Sequence, residues 1–502
     1  MTTQKDNTKM VWKGLSLLFL AAVLVTSQGC SKKEGCTDPT AKNYDADAEK
    51  DDGSCEKDET STETTFTETV VGSDTLVTIK DNGEGIGTMT LTKSKTWILN
   101  GLVFVNEGQT LTIQAGTVIK GKSGQGENAS ALIVARGAKI NAVGTAADPI
   151  IFTAESDQLN GNIPTYTRGL WGGVIVLGKA KLNSSPGETA VEGIPTTEAR
   201  GLYGGSDDTD NSGTIKYVSI RHGGTDIGEG NEINGLTLGG VGSGTTIDYL
   251  EVIANNDDGI EFFGGTVGVK HAVLAFCGDD GFDYDEGFRG KGQFWVVIQE
   301  TNAGDRGGEH DGGTDPEDGS PYAHPKIYNA TYVGKGIAGG NHCVTFRDNA
   351  GGEYHNSIFV GWGKGIDVEK LASGEDSYAR FGAGELKMVG NVFYDVAVAG
   401  TGATASDLFK VTLGSGATDG GAQAAWEASF ASNNNSVADP GIVTTLTAGS
   451  MLLDLVPSNT LPTGTAPSDS WFTAVQYKGA FKKGTTAWIK GWTLIDEDGF
   501  VK

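Results

Sequence analysis

Five carboxylates crowd the eight residues from Asp279 to Glu286 in the stretch CGDDGFDYDEGFRGKG: Asp279, Asp280, Asp283, Asp285 and Glu286. A weaker copy, NDDGIEFFGG, places Asp257 and Asp258 22 residues ahead of Asp279 and Asp280. Acids at this density have three chemical uses. They can hold a hard cation such as calcium, which takes roughly six to eight oxygens. Two of them can act as acid and base on a glycosidic bond. Or they line a turn and are balanced by neighbouring cations, here Arg289 and Lys291. We read Asp257, Asp258, Asp279, Asp280, Asp283, Asp285 and Glu286 as calcium ligands, with a turn bridged by Arg289 and Lys291 as the structural alternative.

A polar insertion follows, GDRGGEHDGGTDPEDGSPYAHP from Gly304 to Pro325. Long loops on a rigid scaffold carry function disproportionately, so Arg306, Glu309, His310 and Asp311 are read as ligand-loop residues. Their spacing lacks the logic of a zinc site. For catalysis, the paired aspartates resemble those of pectin hydrolases only superficially. The glycine–histidine–glycine and arginine–isoleucine–lysine motifs of those enzymes are absent, and no catalytic residue is assigned. A lyase needs a base, and Arg289, Lys291 and Arg306 are the only nearby basic residues.

Short β-branched runs bounded by glycine must position these acids. TLTIQAGTVIKGK, ALIVARGAKINAVG, PIIFTA and GVIVLGKAKLN all read as strands. A second set repeats itself: TIKYVSIRHGG, TIDYLEVIANNDDG, VKHAVLAFCGDDG and GQFWVVIQETNAGDRGG, then looser copies to LKMVGNVFYDVA. Repeats of this length without helical periodicity predict an all-β solenoid, a right-handed parallel β-helix, over residues 69–400. Equivalent residues of adjacent coils then lie about 4.8 Å apart. That stacks Asp257 and Asp258 beneath Asp279 and Asp280, where unit charges repel by roughly 3–4 kcal/mol per pair. Residues 401–502 are expected to form an irregular, aromatic-rich cap. In it, GGAQAAWEASFAS is a short helix, and Trp471, Trp488 and Trp492 are a lid on the last coil.

Residues 1–29 read as a lipoprotein signal peptide. Lys5, Lys9 and Lys13 precede the apolar run LSLLFLAAVLV, and TSQGC ends at Cys30, the expected lipidation site. Residues 30–58 hold GCTDPTAKNYDADAEKDDGSC, in which Cys36 and Cys55 are a natural pair in an oxidising compartment. Asp38, Asn43, Asp45, Asp51 and Asp52 either ligate calcium there or stay solvated. A linker follows at 59–68. Cys277 and Cys343 are expected as buried thiols. A net charge of −26 leaves no basic footprint for nucleic acid.

The N-terminal stretch resembles a small disulfide module of secreted Bacteroidota proteins. RGLWGGVIVLG, IEFFGGTV, GDDGFDYDEGFRGKGQFW, GGEHDGG, YKGAF and WIKGWT resemble β-helix lipoproteins of diderm bacteria. The resemblance implies the fold and an outer-membrane location, anchored by lipid and exposed at the cell surface. We therefore expect a non-enzymatic surface protein that binds a glycan or a partner outer-membrane protein. The alternative is a polysaccharide lyase or glycoside hydrolase, and the third reading is a structural surface protein.

Overall fold

The computed structural model describes residues 32–39, 41–55, 61–192, 194–228, 231–313, 316–447 and 450–502. Cys30 and the expected signal segment lie outside them. No helix among the described residues is long and apolar enough to cross a membrane. Two compact units divide the chain, one within residues 1–61 and the other spanning 62–502.

In the first unit Cys36 and Cys55 are bonded, with their Cα atoms 4.7 Å apart. The strand Glu34–Gly35 pairs in parallel with Lys50–Asp51. The module's acids are committed locally. Asp45 pairs with Lys33 at 2.8 Å, which holds its carboxyl below the usual range. Asp51 and Asp52 accept the backbone N–H groups of Gly53 and Ser54 at 3.0 and 2.9 Å. The expected calcium set is not among the described acid groups whose oxygens converge within 4.8 Å of one another.

The second unit is a parallel β-helix. It opens with an antiparallel hairpin, Thr65–Val71 and Asp74–Lys80. From there the coil strands pair in parallel as far as Ser436–Val437, and the connections add two short antiparallel pairs, Glu188–Ala190 with Leu202–Gly204 and Asp226–Gly228 with Asn231–Glu232. The coils thus continue past residue 400, where the sequence pattern loosens. One ten-stranded face, here called the front sheet, contains Leu236–Gly239, Ile260–Phe263, Phe282–Asp285, Gly308–Asp311 and His342–Arg347 in consecutive coils. Alternate residues face inward. Leu236, Ile260 and Phe282 form one buried inward row and Leu238, Phe262 and Tyr284 the next. Rings at equivalent places in consecutive coils stack, as Phe359 does on Phe393 with ring centroids 5.1 Å apart. Cys277 and Cys343 are free and buried.

The glycine of each DDG motif has a packing reason. A Cβ at Gly281 would meet Val297 Cγ2 at 2.5 Å and the Gly307 carbonyl oxygen at 2.7 Å. The other strands form a bent sheet. Gly213–Arg221, Thr246–Ile253, Gly268–Ala275 and Lys291–Ile298 each turn a corner at one left-handed residue: Tyr217, Tyr249, His271 and Phe294. Their rings stack outside the corner at 4.4, 4.3 and 4.7 Å.

That ladder decides where the chain's end goes, and it corrects the expected lid. Trp492 and Trp488 pack edge-on against Tyr217 and His271 at 5.5 and 5.3 Å. Trp471 lies against Lys270. All three therefore run along the flank of the solenoid, because its apolar ladder is the larger surface to bury. The last coil is closed instead by the helix Ala422–Ser432. Its Trp426 stacks on Phe409 at 4.6 Å, and Phe430 meets the same ring at 5.2 Å. A buried carboxylate fastens the flank. Glu251 accepts the backbone N–H groups of Leu494 and Ile495 at 2.9 and 3.1 Å and the Ser219 hydroxyl at 2.5 Å.

Candidate functional site

The 22-residue offset is one coil. Ile260 pairs with Phe282 and Glu261 with Asp283. The Gly259 and Gly281 N–H groups bond to the carbonyls of Asp280 and Arg306, at 3.1 Å each. Asp258, Asp280 and Arg306 thus hold equivalent places at the entry to the front sheet. Side chain and backbone interlock up this row. Asp258 accepts the Asp280 N–H at 2.8 Å, and Asp280 accepts the Arg306 N–H. The outward residues one step along are Glu261, Asp283 and Glu309.

Two arginines supply the countercharge. The Arg306 guanidinium reaches Asp280 at 3.2 Å, Asp305 at 3.0 Å and Glu309 at 2.9 Å. Arg347 grips Asp311 with two bonds of 2.7 and 3.0 Å and also pairs with Glu309. This corrects the expected bridging by Arg289 and Lys291. Arg289 pairs with Asp208 at 2.9 Å and Lys291 with Asp469 at 2.6 Å. The chain reverses at Glu286 and Gly287, both at positive φ, and carries the two cations away from the acids. The residue that arrives beside Asp280 comes from the next coil.

Two adjoining acid groups have carboxylate oxygens within 4.8 Å of one another: Asp257, Asp258 and Asp279, then Asp279, Asp280 and Asp305. Arg306 already serves the second. Among the described residues no ion pair to Asp257, Asp258 or Asp279 is formed, and Arg306 acts on Asp279 only through its charge. Burial and the charge of Asp279 push the Asp257 carboxyl up to about 7. Burial raises Asp279 as well, helped by Asp305 and Glu309. Burial with Asp257 and Asp279 drives Asp258 well up. Three carboxyls at this spacing are relieved by a shared proton or by a cation. Three carboxylates offer the hard oxygens calcium takes, so the residues fit that ion. They equally offer the paired carboxyls that an acid and its partner need at a glycosidic bond.

The other expected ligands separate from this group. Asp283 faces outward beside Glu261, with one oxygen buried and unbonded; burial and Glu261 push it well up. Glu286 accepts the Tyr203 hydroxyl at 2.7 Å, and burial raises it to about 7. Asp285 joins none of the converging acid groups. The ligand loop is corrected too: Glu309, His310 and Asp311 belong to the strand Gly308–Asp311. Alternation sends Glu309 and Asp311 outward and His310 into the core. There His310 stacks on Tyr284 at 4.0 Å and meets the Tyr354 hydroxyl at 2.7 Å. Burial lowers His310 to about 3, which leaves it neutral and without a ligand role on the surface.

The pectate-lyase-like β-helix domain matches residues 83–431. The chain belongs to this family. No curated protein sequence matches it. Among solved structures, it aligns with the catalytic unit of the thermostable GH87 α-1,3-glucanase from Streptomyces thermodiastaticus strain HF3-3. That pair shares 12% identity over 73% of this chain and 65% of the glucanase, with a TM-score of 0.27. The Dettilon tailspike protein shares 12% identity over 65% of this chain and 62% of its own, with a TM-score of 0.21. The chain thus spans less than two thirds of either structure.

Within this β-helix the residues that sequence reasoning passed over are Glu261, Asp305 and Arg347. Glu261 carried a readable signal, since it stands 22 residues before Asp283 and so one coil away. Arg347 carried none. Its partner Asp311 lies 36 residues back, across an insertion of no fixed length.

Proposed function

We propose that this protein is a lipid-anchored outer-membrane protein, exposed at the cell surface, that binds a glycan along the acidic front sheet without cleaving it. The observation that carries the reading is how the acids are engaged. Asp258 and Asp280 each give an oxygen to the next coil's backbone, and Arg306 and Arg347 tie up Asp280, Asp305, Glu309 and Asp311. Carboxylates fixed in this way hold a surface in shape, and a cation at Asp257, Asp258 and Asp279 can take sugar hydroxyls as further ligands. The pectate-lyase likeness of the family also points toward polysaccharides, though a fold alone assigns no chemistry.

One observation favours a second reading. Asp257, at about 7, stands beside the more exposed Asp279. That is the division of labour a glycoside hydrolase uses between its general acid and its second carboxylate. A polysaccharide panel separates the two. Binding should be retained on one polymer by affinity electrophoresis, with no new reducing ends and no absorbance at about 235 nm. Asp257→Asn should weaken retention about tenfold, the loss expected when a charged ligand group is removed. Product release that Asp257→Asn or Asp279→Asn abolishes would establish the hydrolase instead.

The anchor has its own test. Wild type should take up labelled palmitate and fractionate with outer membrane, whereas Cys30→Ala should do neither. If both variants fractionate alike without label, the chain is not held by lipid at Cys30.

A further inference from the structure

The C-terminal segment on the flank encloses a cavity of about 510 Å3 between residues 457–463 and 475–483. Its wall is apolar where Pro462, Tyr477 and Phe481 line it, and three lysines complete it: Lys478, Lys482 and Lys483. No carboxylate lines it. That is unexpected in a chain with 64 acidic and 38 basic residues, most of whose buried cations are matched to acids.

Lys478 is the informative residue. It is 4% exposed, yet among the described residues its ammonium makes no hydrogen bond or ion pair. Burial alone acts on it, lowering its pKa, and no neighbouring charge contributes. Its stem is buried, but its ammonium is not among the described buried side-chain nitrogens that lack a partner, so the charged end keeps access to open space, and the residue lines the cavity. Lys483 donates to the Thr460 hydroxyl at 3.1 Å, a neutral partner. Tyr477 presents its ring beside them, fixed from behind by Phe294 at 6.2 Å, while the Tyr477 carbonyl accepts from Asn329 at 2.7 Å. The cavity lining therefore combines an aromatic ring with lysines that no lining carboxylate neutralises.

We propose that this cavity binds an acidic sugar unit, its carboxylate or sulfate on Lys478 and its apolar ring face on Tyr477. The volume falls within the range of roughly 300–1,000 Å3 that suits small organic ligands. Lysine is a point charge that takes either oxyanion, so the shared chemistry is the anionic saccharide. The chain's overall charge repels extended polyanions, which restricts the ligand to one whose charge is carried singly and locally. The site stands apart from the front sheet and does not depend on how the acids there are used.

Calorimetry on the full-length mature protein tests it, in about 0.1 M salt. The probes are a uronic-acid trisaccharide, the same trisaccharide as its neutral methyl ester, and a sulfated galactan trisaccharide. At least one anionic sugar should bind, and the ester should not. Lys478→Met, which keeps the apolar stem, should weaken binding about tenfold or more, as loss of a buried charge-assisted bond does. Lys482→Gln with Lys483→Gln, both exposed, should weaken it by roughly threefold to tenfold. This second variant keeps the test valid if Lys478→Met misfolds. Asp257→Asn should leave the affinity unchanged, which separates this site from the front sheet. The tighter of the two anionic sugars identifies the oxyanion. Equal binding of the ester, wild-type affinity in the lysine variants, loss of binding in Asp257→Asn, or no binding of either anionic sugar would each overturn the proposal.

Discussion

Arg306→Met should destabilise the β-helix by about 3–5 kcal/mol at pH 8, the usual cost of removing one partner from a buried ion pair. Asp280 is 1% exposed and would keep the Arg306 backbone N–H but lose the guanidinium. Glu309 and Asp305 would lose the same cation. The loss should shrink on acidification. Burial and Asp258 already push Asp280 well above the usual carboxylate range, so at pH 5 it takes a proton readily and no longer needs the arginine. Adding Asp280→Asn to Arg306→Met should recover most of the stability at pH 8, because no buried charge then remains unpaired. Denaturant melts of the four proteins measure the coupling directly. A single-variant cost below about 1 kcal/mol at pH 8 would mean that Arg306 does not hold the row.

The same arginine shows where sequence reading stops. The spacing of Asp257 and Asp279 reveals the coil because no insertion interrupts it, and the strand pattern on either side follows from that one number. Between Asp280 and Arg306 the offset grows to 26 residues, and a constant period no longer finds the partner. Arg289 and Lys291 are nearer in sequence but lie beyond the reversal at Glu286 and Gly287. Gly281 is required by packing and not by turn geometry. It is absent from the positive-φ positions, and what excludes a side chain is Val297 and the backbone of the next coil. Gly287, at φ +76, is the turn. His310 was misread because a strand hidden in a polar insertion alternates, and only the register with Tyr284 shows which way it points. The flank is the least legible part. Glu251 is 243 residues from Leu494, and residues 455–502 carry no repeat to announce the contact.

The acids of the opening stretch should betray their state through pH and chelator. Asp257 is raised from 3.8 to about 7 and Glu286 from 4.5 to about 7, in each case chiefly by burial. A carboxyl raised in the folded state adds stability below its unfolded pKa and loses it as pH climbs through the folded value. The window here runs from about pH 4 to about pH 7. In chelator, the protein should therefore be more stable at pH 5 than at pH 8. For one group a three-unit shift is at most roughly 4 kcal/mol. Screening at these partly exposed side chains reduces it to about 2 kcal/mol each. For a unit of this size that lowers the melting temperature by about 2–4 °C. Calcium at pH 8 replaces the missing proton and should restore a similar amount, since a ligand at a hundred times its Kd contributes about 2.7 kcal/mol. At pH 5 protons compete for the same oxygens, so calcium should do little. Asp257→Asn should flatten the Asp257 part of the pH slope and abolish the calcium response together, because one group of oxygens answers to both. A slope without a calcium response would leave the shared proton as what relieves Asp257, Asp258 and Asp279. With neither, the three carboxylates are simply solvated, and the front sheet owes its cohesion to Arg306 and Arg347 alone.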